Sequence, residues 1–570
     1  MAAGILFFTI GVPAILLGQT DPILEDSNIR PFTASGTIGF TANTYTASGI
    51  QNRRAPASLK TTANLDFSIF GFSSGLNMLY STDQSEFRQN MNAISFDAQW
   101  KWINVQAGDV SPSFSKYGLS GVTIRGGHLQ LNPGEWRVEF SGGRSKRKIS
   151  NSSNEGFREP SFERWAMAGK VGYEGDGDNH FYLSSHYELD KSGSLSSPSG
   201  ITPKENLTVT PDAKVSFFEG ALLLESQVTF SAYTRDVNSM EVPISDIGLP
   251  GFLSNIMQAR QSSRVNYAGQ AAANLQLDQF GFEVGYERIQ PGFRSLGIGR
   301  IQDDKERLRF APAVQLFDNR VSVQSNLTLG RDNLLNSRLQ TQRNTGVATN
   351  VRVQVTDMIT ISSNYNLLVN SFTTNSGAVS NPQSAPPDQK QISHTLMLQP
   401  SVTLQADEKT HTISLSASYF NFNLDFEGSG PSVPMGSSSD TYSTSASYSL
   451  SFPSGLALNS MTNVLLNNSN SSENVTLGGN VGASYSLLKR KLTLSFNGGF
   501  NQNTNTSSMA NASDIRVKTQ QFMLNLSGNY RLTDKDTFSL SVRTRSNNVV
   551  EGGSSNYSEL EASLRYQHRF

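Results

Sequence analysis

Three features are scarce in this sequence: cysteine, charge and long apolar runs. None of the 570 residues is cysteine, which excludes disulfides, thiolate metal sites and a lipid-bearing cysteine anchor. Only 16% of the residues are charged and the formal net charge is −1, so electrostatics give no reason to expect a nucleic-acid partner. Mean hydropathy is −0.35. Beyond the N-terminus no stretch approaches the roughly 18 consecutive apolar residues of a membrane-spanning helix.

An apolar run, MAAGILFFTIGVPAILLG, occupies residues 1–18 and is followed at once by the polar stretch QTDPILEDSN. An apolar run that ends on a small residue is typical of a secretory signal peptide, although the usual basic residues before it are missing. We expect a cleaved signal at residues 1–18 rather than a membrane anchor, and a short periplasmic segment at residues 19–32. The mature protein is then expected to work beyond the inner membrane.

From residue 33 to residue 570 one pattern recurs, in which apolar and polar residues alternate. TLSFNGGF (493–500) and TFSLSVRTR (537–545) are examples, and such alternation is typical of strands with one apolar face. Short, turn-forming connections such as NPGE (132–135) and TDKD (533–536) alternate with long ones. The long connections are predicted at residues 47–57, 110–121, 148–163, 191–204, 237–264, 291–306, 375–391, 428–440 and 503–514. We count 26 strands joined as hairpins.

Short turns at one end and long loops at the other predict an all-β fold, a transmembrane antiparallel up-and-down barrel with periplasmic turns and extracellular loops. Roughly 21 residues per strand and connection leave room for the 9–11 tilted residues that cross a bilayer. We therefore expect a single barrel at residues 33–570 in the outer membrane of a Gram-negative bacterium, in contact with lipid and lipopolysaccharide. A string of secreted β-sandwich domains is the alternative, but inward positions rich in Ser, Thr, Asn, Gln, Arg and Glu cannot form a dry core.

The last strand, YSELEASLRYQHRF (557–570), is mostly apolar on one face and charged on the other. Its aromatic residues Tyr566 and Phe570 resemble the C-terminal signal through which the barrel-assembly machinery takes up outer-membrane proteins. Apolar faces must meet lipid, so the opposite faces line the lumen. The charged residues predicted to face the lumen are Arg543, Arg545, Glu559, Glu561 and Arg565. Because both signs are present, we expect weak ion selectivity.

The sequence shows no plug domain, so we expect loops or a partner protein to gate a barrel of this width. The candidate gating loop is residues 237–264, VNSMEVPISDIGLPGFLSNIMQARQSSR. Its apolar residues include Ile244, Ile247, Leu249, Phe252, Leu253 and Ile256. The loop could fold inward as a short helix, cap the barrel, dock a partner, or simply pack.

Two other long connections combine glycine, aromatic residues and arginine: GDVSPSFSKYGLSGVTIRGG (108–127) and YERIQPGFRSLGIGRIQDDKERLRF (286–310). With LNPGEWRVEFSGGRSKR (131–147) between them, the chain resembles a family of large outer-membrane barrels from Bacteroidetes-type bacteria. That family carries an SP.(F/Y)S.(Y/T).LSG loop followed by an LNPG turn. The resemblance extends over residues 70–331 and implies location and fold. It implies no activity and assigns no functional residue.

The sequence contains no recognisable catalytic motif. Six histidines are scattered, and no HExxH or Gly-x-Ser-x-Gly pattern is present. A lipase-like Ser–His pair on the wall is a weaker hypothesis, because serine is too common for a pairing to be informative. The cluster RSKRK (144–148) could contact lipopolysaccharide phosphates or simply be solvated.

We therefore predict a non-enzymatic pore without a cofactor or metal. It would pass or export a large polar solute or polymer, gated by loops or by a partner. The alternative is a closed barrel that anchors a surface or secretion complex together with other envelope proteins.

Overall fold

The structure is a computed structural model. It describes residues 32–82, 92–149, 160–177, 179–195, 200–375, 377, 385–427, 435–508, 514–553 and 555–570. The predicted signal peptide (1–18) and nearly all of the predicted periplasmic segment (19–32) lie outside these residues. Within the described ranges no helix is long and apolar enough to cross a membrane.

Within the described residues the chain forms 26 strands in one sheet, numbered here in chain order. The first thirteen are β1 (Phe32–Ser48), β2 (Ala57–Ile69), β3 (Phe72–Ser81), β4 (Ala93–Trp100), β5 (Ile103–Val110), β6 (Ile124–Leu131), β7 (Trp136–Lys146), β8 (Arg164–Glu174), β9 (His180–Asp190), β10 (Glu205–Phe217), β11 (Leu222–Thr234), β12 (Ser263–Gln276) and β13 (Phe280–Ile289). The others are β14 (Lys305–Leu316), β15 (Val321–Asp332), β16 (Gln340–Gln354), β17 (Ile359–Thr374), β18 (Asp388–Ala406), β19 (Lys409–Glu427), β20 (Ser437–Ser451), β21 (Leu456–Ser469), β22 (Ser472–Leu487), β23 (Leu492–Ser507), β24 (Ile515–Arg531), β25 (Asp536–Glu551) and β26 (Tyr557–Arg569). Short 3₁₀ turns occupy Ser192–Ser194, Phe218–Gly220, Ile244–Ile247 and Gly251–Asn255.

The sheet closes on itself. Each strand pairs antiparallel with the next, and β26 pairs with β1 from Thr37 opposite Arg569 to Ser48 opposite Ser558. Beyond that ladder, the backbones of Gly36 and Phe570 exchange two hydrogen bonds of 3.2 Å. A closed sheet has no free edge, so its backbone N–H and C=O groups are paired where the wall crosses lipid. The predicted antiparallel barrel of 26 strands is confirmed.

Side chains alternate between an apolar outer face and a polar inner face. On β19, Ile413 and Leu415 are 43% and 50% exposed, and the intervening Ser414 and Ser416 are only half-exposed. Large hydrophobic residues exposed at every second position match a lipid solvent, and the serines line the lumen.

Exposed aromatic rings lie next to the short turns at one end of the barrel. They are Phe70, Phe72, Trp100, Trp102, Trp136, Phe217, Phe218, Phe280 and Phe317. Rings of this kind form the girdle at a membrane–water interface. The turns themselves are tight: Phe70 and Gly71, and likewise Asp407 and Glu408, all have positive φ. This is the backbone conformation that two-residue hairpins favour.

The long connections differ from the prediction in two ways. The connections between β3 and β4 (11 residues), β15 and β16 (7 residues) and β25 and β26 (5 residues) are also long in sequence, and the prediction does not include them. The predicted loop 503–514 starts too early, because β23 continues to Ser507. Its residues from Asn501 to Ser507 are all polar, so periodicity cannot distinguish that strand from a loop. The connection between β21 and β22 is only Asn470 and Ser471, and the Asn470 amide oxygen accepts a hydrogen bond from the Ser438 N–H at 3.0 Å.

A charged residue introduced on either face of β19 tests the assignment of faces. We expect Leu415→Arg to lower the free energy of unfolding by roughly 2–4 kcal/mol, because its guanidinium would face the hydrocarbon core. Ser416→Arg places the same charge in the lumen and should cost much less. Guanidinium titration of the protein folded in phospholipid vesicles, followed by tryptophan fluorescence, measures both variants. Equal losses would contradict the assignment.

Candidate functional site in the barrel lumen

The connection between β5 and β6, residues 111–123 and here named inner loop 1, bends into the barrel. Phe114 and Leu119 are 4% and 0% exposed, and they pack in one apolar cluster with Ala166 and Ala168 of β8. Burial of these side chains away from water holds the loop against the wall.

The face of β8 that receives the loop is the inner one. Its outward side chains are Trp165 and Met167, which are 52% and 68% exposed. Ala166 and Ala168 alternate with them and therefore face the lumen. Because alanine occupies two successive inner positions, there is space beside β8 for the Phe114 and Leu119 side chains of inner loop 1. Larger side chains at positions 166 and 168 would fill that space.

The connection between β13 and β14, residues 290–304 and here named inner loop 2, also bends into the lumen. Phe293 is 0% exposed and packs with Ile289 of β13, Ala268 of β12 and Tyr117 of inner loop 1. Ala268 is again a small residue at an inner position, opposite Ile289 in the sheet register. The two inner loops therefore share one apolar cluster inside the barrel.

The two inner loops are also hydrogen-bonded to each other. Ser120 donates its backbone N–H to the Gly297 carbonyl at 2.9 Å, and Ser120 and Ile298 form a parallel β-bridge. The Ser295 hydroxyl donates to the Gly118 carbonyl at 2.6 Å. The loops thus form one unit, although they are far apart in the chain.

Polar residues at the tip of inner loop 1 fix it to the inner faces of β11, β12 and β13. The Tyr117 hydroxyl donates to Glu287 at 2.6 Å, and the Lys116 ammonium group lies 2.9 Å from the same carboxylate. Lys116 also donates through its ammonium group to Gln270 and through its backbone N–H to Gln227 at 2.8 Å. Burial, together with the bond to Glu287, raises the pKa of the Tyr117 phenol, so it stays a neutral donor.

Inner loop 2 is fixed to β10 and β11. The Leu296 N–H donates to the amide oxygen of Asn206 at 3.0 Å, and the Ser231 hydroxyl donates to the Arg294 carbonyl at 2.6 Å. Asn206 and Ser231 are 0% and 1% exposed, and Asn206 donates to Ser231 at 2.7 Å. These contacts, like those of inner loop 1, lie on the β8–β13 side, so the loops narrow the lumen from one side.

The structure places the predicted lumen-lining residues on the inner faces of β25 and β26: Arg543, Arg545, Glu559, Glu561 and Arg565. Glu559 lies opposite Arg545 and accepts a hydrogen bond from the Tyr45 hydroxyl at 2.6 Å. Arg54, from the loop after β1, lies 2.7 Å from Glu561. This group surrounds the junction of β26 with β1, whereas the inner loops pack on β8–β13.

The predicted gating segment, residues 237–264, occupies a different place. It forms two 3₁₀ turns, and its buried Met257 packs with Leu207 of β10 and Ala232 of β11. Leu207 alternates with Asn206, which faces the lumen, so Leu207 faces outward.

The candidate gating residues belong to that outer covering: Ile244, Ile247, Leu249, Phe252, Leu253 and Ile256. Leu249 and Leu253 pack against the cluster around Met257. The hypothesis that this segment folds inward as a short helix is therefore wrong, and the packed-loop alternative describes it. The composition of the inner loops is unusual in the sequence, but it predicts no gating role for them. The alanines at inner positions 166, 168 and 268 are the signal that could have indicated where they dock.

The predicted assembly residues lie at the strand that closes the barrel. The Tyr566 hydroxyl donates to Asp536 at 2.8 Å, and its ring lies 4.8 Å from that of Phe538 between centroids. Recognition of Tyr566 and Phe570 by the assembly machinery stays a prediction.

Comparison with known proteins gives the following similarities. A family model for the MetA pathway of phenol degradation matches residues 328–558, which is less than half of the chain. No curated protein matches. Similar solved structures include the outer membrane protein OpdK from Pseudomonas aeruginosa (9% identity, 68% of this chain and 97% of that chain, TM-score 0.29). An outer membrane channel from Pseudomonas putida F1 is 17% identical over 40% of this chain and 85% of that chain, with a TM-score of 0.21. BauA, the ferric preacinetobactin receptor from Acinetobacter baumannii, is 10% identical over 93% of this chain and 80% of that chain, with a TM-score of 0.41.

The closed sheet, its apolar outer face and its polar lumen define the class. The protein is a closed β-barrel of the Gram-negative outer membrane.

A glycine in inner loop 2 offers a test of the junction between the loops. A Cβ at Gly297 would collide with the His186 ring and with the Gly118 carbonyl, whereas a Cβ at Gly299 would meet nothing within 4 Å. We expect Gly297→Val to separate the inner loops and raise single-channel conductance in planar bilayers. Gly299→Val is the matched control and should leave conductance unchanged. Identical conductance in both variants and the wild type would show that this junction does not limit the pore.

Proposed function

We propose that this barrel is a non-enzymatic channel that passes a polar solute across the outer membrane, with the two inner loops as its constriction. The observation that carries this proposal is the joined pair of loops inside the lumen. They are bonded to each other through Ser120 and Gly297 and to the wall through Tyr117 and Glu287. A barrel of this width would otherwise hold an open water-filled passage.

The loops favour a solute over a large exported polymer. A wide polymer would have to displace them, which would expose the buried Phe114, Leu119 and Phe293 to water. It would also leave Glu287 without the two donors that it has from inner loop 1. Each of these changes has a free-energy cost, and the combined cost opposes the passage of a wide polymer through the barrel.

A second function is supported by the surface of the outer segment, residues 237–264. Met240 and Phe252 are 73% and 69% exposed there, and exposed apolar side chains favour contact with another envelope protein. We propose as the alternative function that the barrel is a scaffold, which anchors a surface or secretion complex through this segment. The resemblance to Bacteroidetes-type barrels also stays a prediction.

Single-channel recording in planar bilayers separates the two proposals. We expect steady openings in the wild type and larger or more frequent ones in the double variant Lys116→Ala/Tyr117→Ala. Losing hydrogen bonds to a charged group costs roughly 1.5–3 kcal/mol, so the undocked population of inner loop 1 should rise on the order of tenfold or more. Deletion of residues 238–261 removes the outer segment and should leave conductance unchanged.

Other results would redirect the assignment. Openings that appear only after the deletion would make the outer segment the gate. A wild type and a double variant that are both silent would reject the channel and leave the scaffold.

A further inference from the structure

One part of the wall that the inner loops leave open, strands β17–β23, differs in chemistry from the wall that they cover. The covered side carries ion pairs on inner faces, such as Arg164 with Asp190 at 2.7 Å, and at its edge Arg309 of β14 pairs with Glu283 of β13 at 3.0 Å. From β17 to β23 the strand register places no Asp, Glu, Lys, Arg or His at an inner position among the residues described there.

Most side chains at those positions are hydroxyls and amides, and the exceptions are glycines and apolar residues such as Met397, Met461 and Leu465. On β20 the hydroxyls and amides are Ser439, Thr441, Ser443, Ser445, Ser447 and Ser449. On β23 they are Thr493, Ser495, Asn497, Asn501, Asn503 and Asn505. Several bond to each other across strands, as Asn503 does in donating to Asn474 at 3.1 Å. Seven strands thus present a hydrogen-bonding surface without charge.

An apolar strip adjoins this surface on the extracellular part of β19. The register pairs Phe420 with Thr395 of β18 and Thr441 of β20, both at inner positions. By alternation Phe422, Leu424 and Phe426 share that inner face. Phe372 of β17 also faces inward, opposite Gln389 of β18.

The polarity of β19 reverses along its length. Tyr419 lies on the outer face, with its ring 5.1 Å from that of Tyr442, as expected for the upper aromatic girdle. Below this pair the outer face is Ile413, Leu415 and Ala417. Above it the outer positions become Asn421, Asn423 and Asp425, and the apolar residues move inside.

An apolar inner face above the membrane is not explained by lipid. Phe420 is 37% exposed and Leu368, at an inner position of β17, is 45% exposed. Both line an aqueous vestibule, where hydroxyl side chains would be the ordinary choice. Convergence of aromatic rings with hydroxyl and amide groups in a concave surface is the usual composition of a small-ligand site.

We infer that the strip and the neutral wall form a binding track for an uncharged carbohydrate-like solute. The inference rests on the proposed channel function. A sugar ring has apolar C–H faces, which can lie on Phe420 and Phe422, and hydroxyl edges, which can exchange hydrogen bonds with Ser, Thr, Asn and Gln along β17–β23. A charged solute would lose hydration along this wall without meeting a counter-charge.

Ion-current block by maltohexaose tests the track in the full-length protein in planar bilayers. We expect concentration-dependent block of the wild-type current, and at least about tenfold weaker binding for Phe420→Ala/Phe422→Ala, because two ring contacts are lost. Leu415→Ala, on the outer face of the same strand, is the matched control and should bind like the wild type. Phe420→Leu/Phe422→Leu keeps apolar bulk and removes only the rings. It should also bind more weakly, and it serves if the alanine variant does not fold.

The outcomes are distinguishable from failure of the channel itself. A wild type that conducts ions but is not blocked by maltohexaose overturns the track and leaves the channel standing. Equal block by an oligogalacturonate of the same length shows that the wall does not select for neutrality and overturns the solute class. Unchanged binding in both phenylalanine variants overturns the strip, and a silent wild type overturns channel and track together.

Discussion

Backbone hydrogen bonding in a medium without water is the constraint on which the rest of this structure depends. An N–H or C=O group left unpaired in hydrocarbon costs several kcal/mol, and pairing of β26 with β1 removes the last free edge. Closure in turn fixes two faces for each strand. Lipid takes the apolar face, so the lumen receives Ser, Thr, Asn, Gln and the charged residues. With 26 strands the lumen is too wide for those side chains to fill. The remaining space can hold loops or admit a solute.

The inner loops fill part of that space by the same physics that builds a globular core. Phe114, Leu119 and Phe293 bury against alanines at inner positions, so a few strand residues depart from the polar rule to make a docking surface. Polar anchors then fix the orientation, with Lys116 and Tyr117 sharing the Glu287 carboxylate. The result is an asymmetric lumen in which the charged wall on the β8–β13 side is covered, whereas the neutral wall of β17–β23 and the charged group at the junction of β26 with β1 stay open. A solute that passes along β17–β23 would therefore meet mainly hydroxyl and amide groups.

The strand count and the faces could be predicted from the sequence because both depend on local chemistry. Period-two alternation and turn residues lie within a few positions of each other, as where the turn TDKD (533–536) directly precedes TFSLSVRTR (537–545). The direction of a loop depends instead on distant partners: Tyr117 and Glu287 are 170 residues apart. Hydrophobicity alone also left the place of residues 237–264 open, since Met257 and Leu253 would be apolar whether they met the inner or the outer wall. Their contact with Leu207 decides the matter, and only the strand register shows that Leu207 faces outward.

The face on which apolar residues lie changes along a single strand with the depth of the residue in the membrane. Along β19, Ile413 and Leu415 face out because lipid is their solvent, whereas Phe420 and Phe422 face in where the outer side has become aqueous and polar. A strand that merely continued its alternation would have kept apolar residues outward and exposed them to water above the membrane. One that merely served as an aqueous rim would have been polar on both sides, as the upper part of β23 is. The reversal of polarity on β19 matches neither pattern. Contact with lipid therefore does not account for its apolar inner face, which is consistent with the binding of a solute in the vestibule.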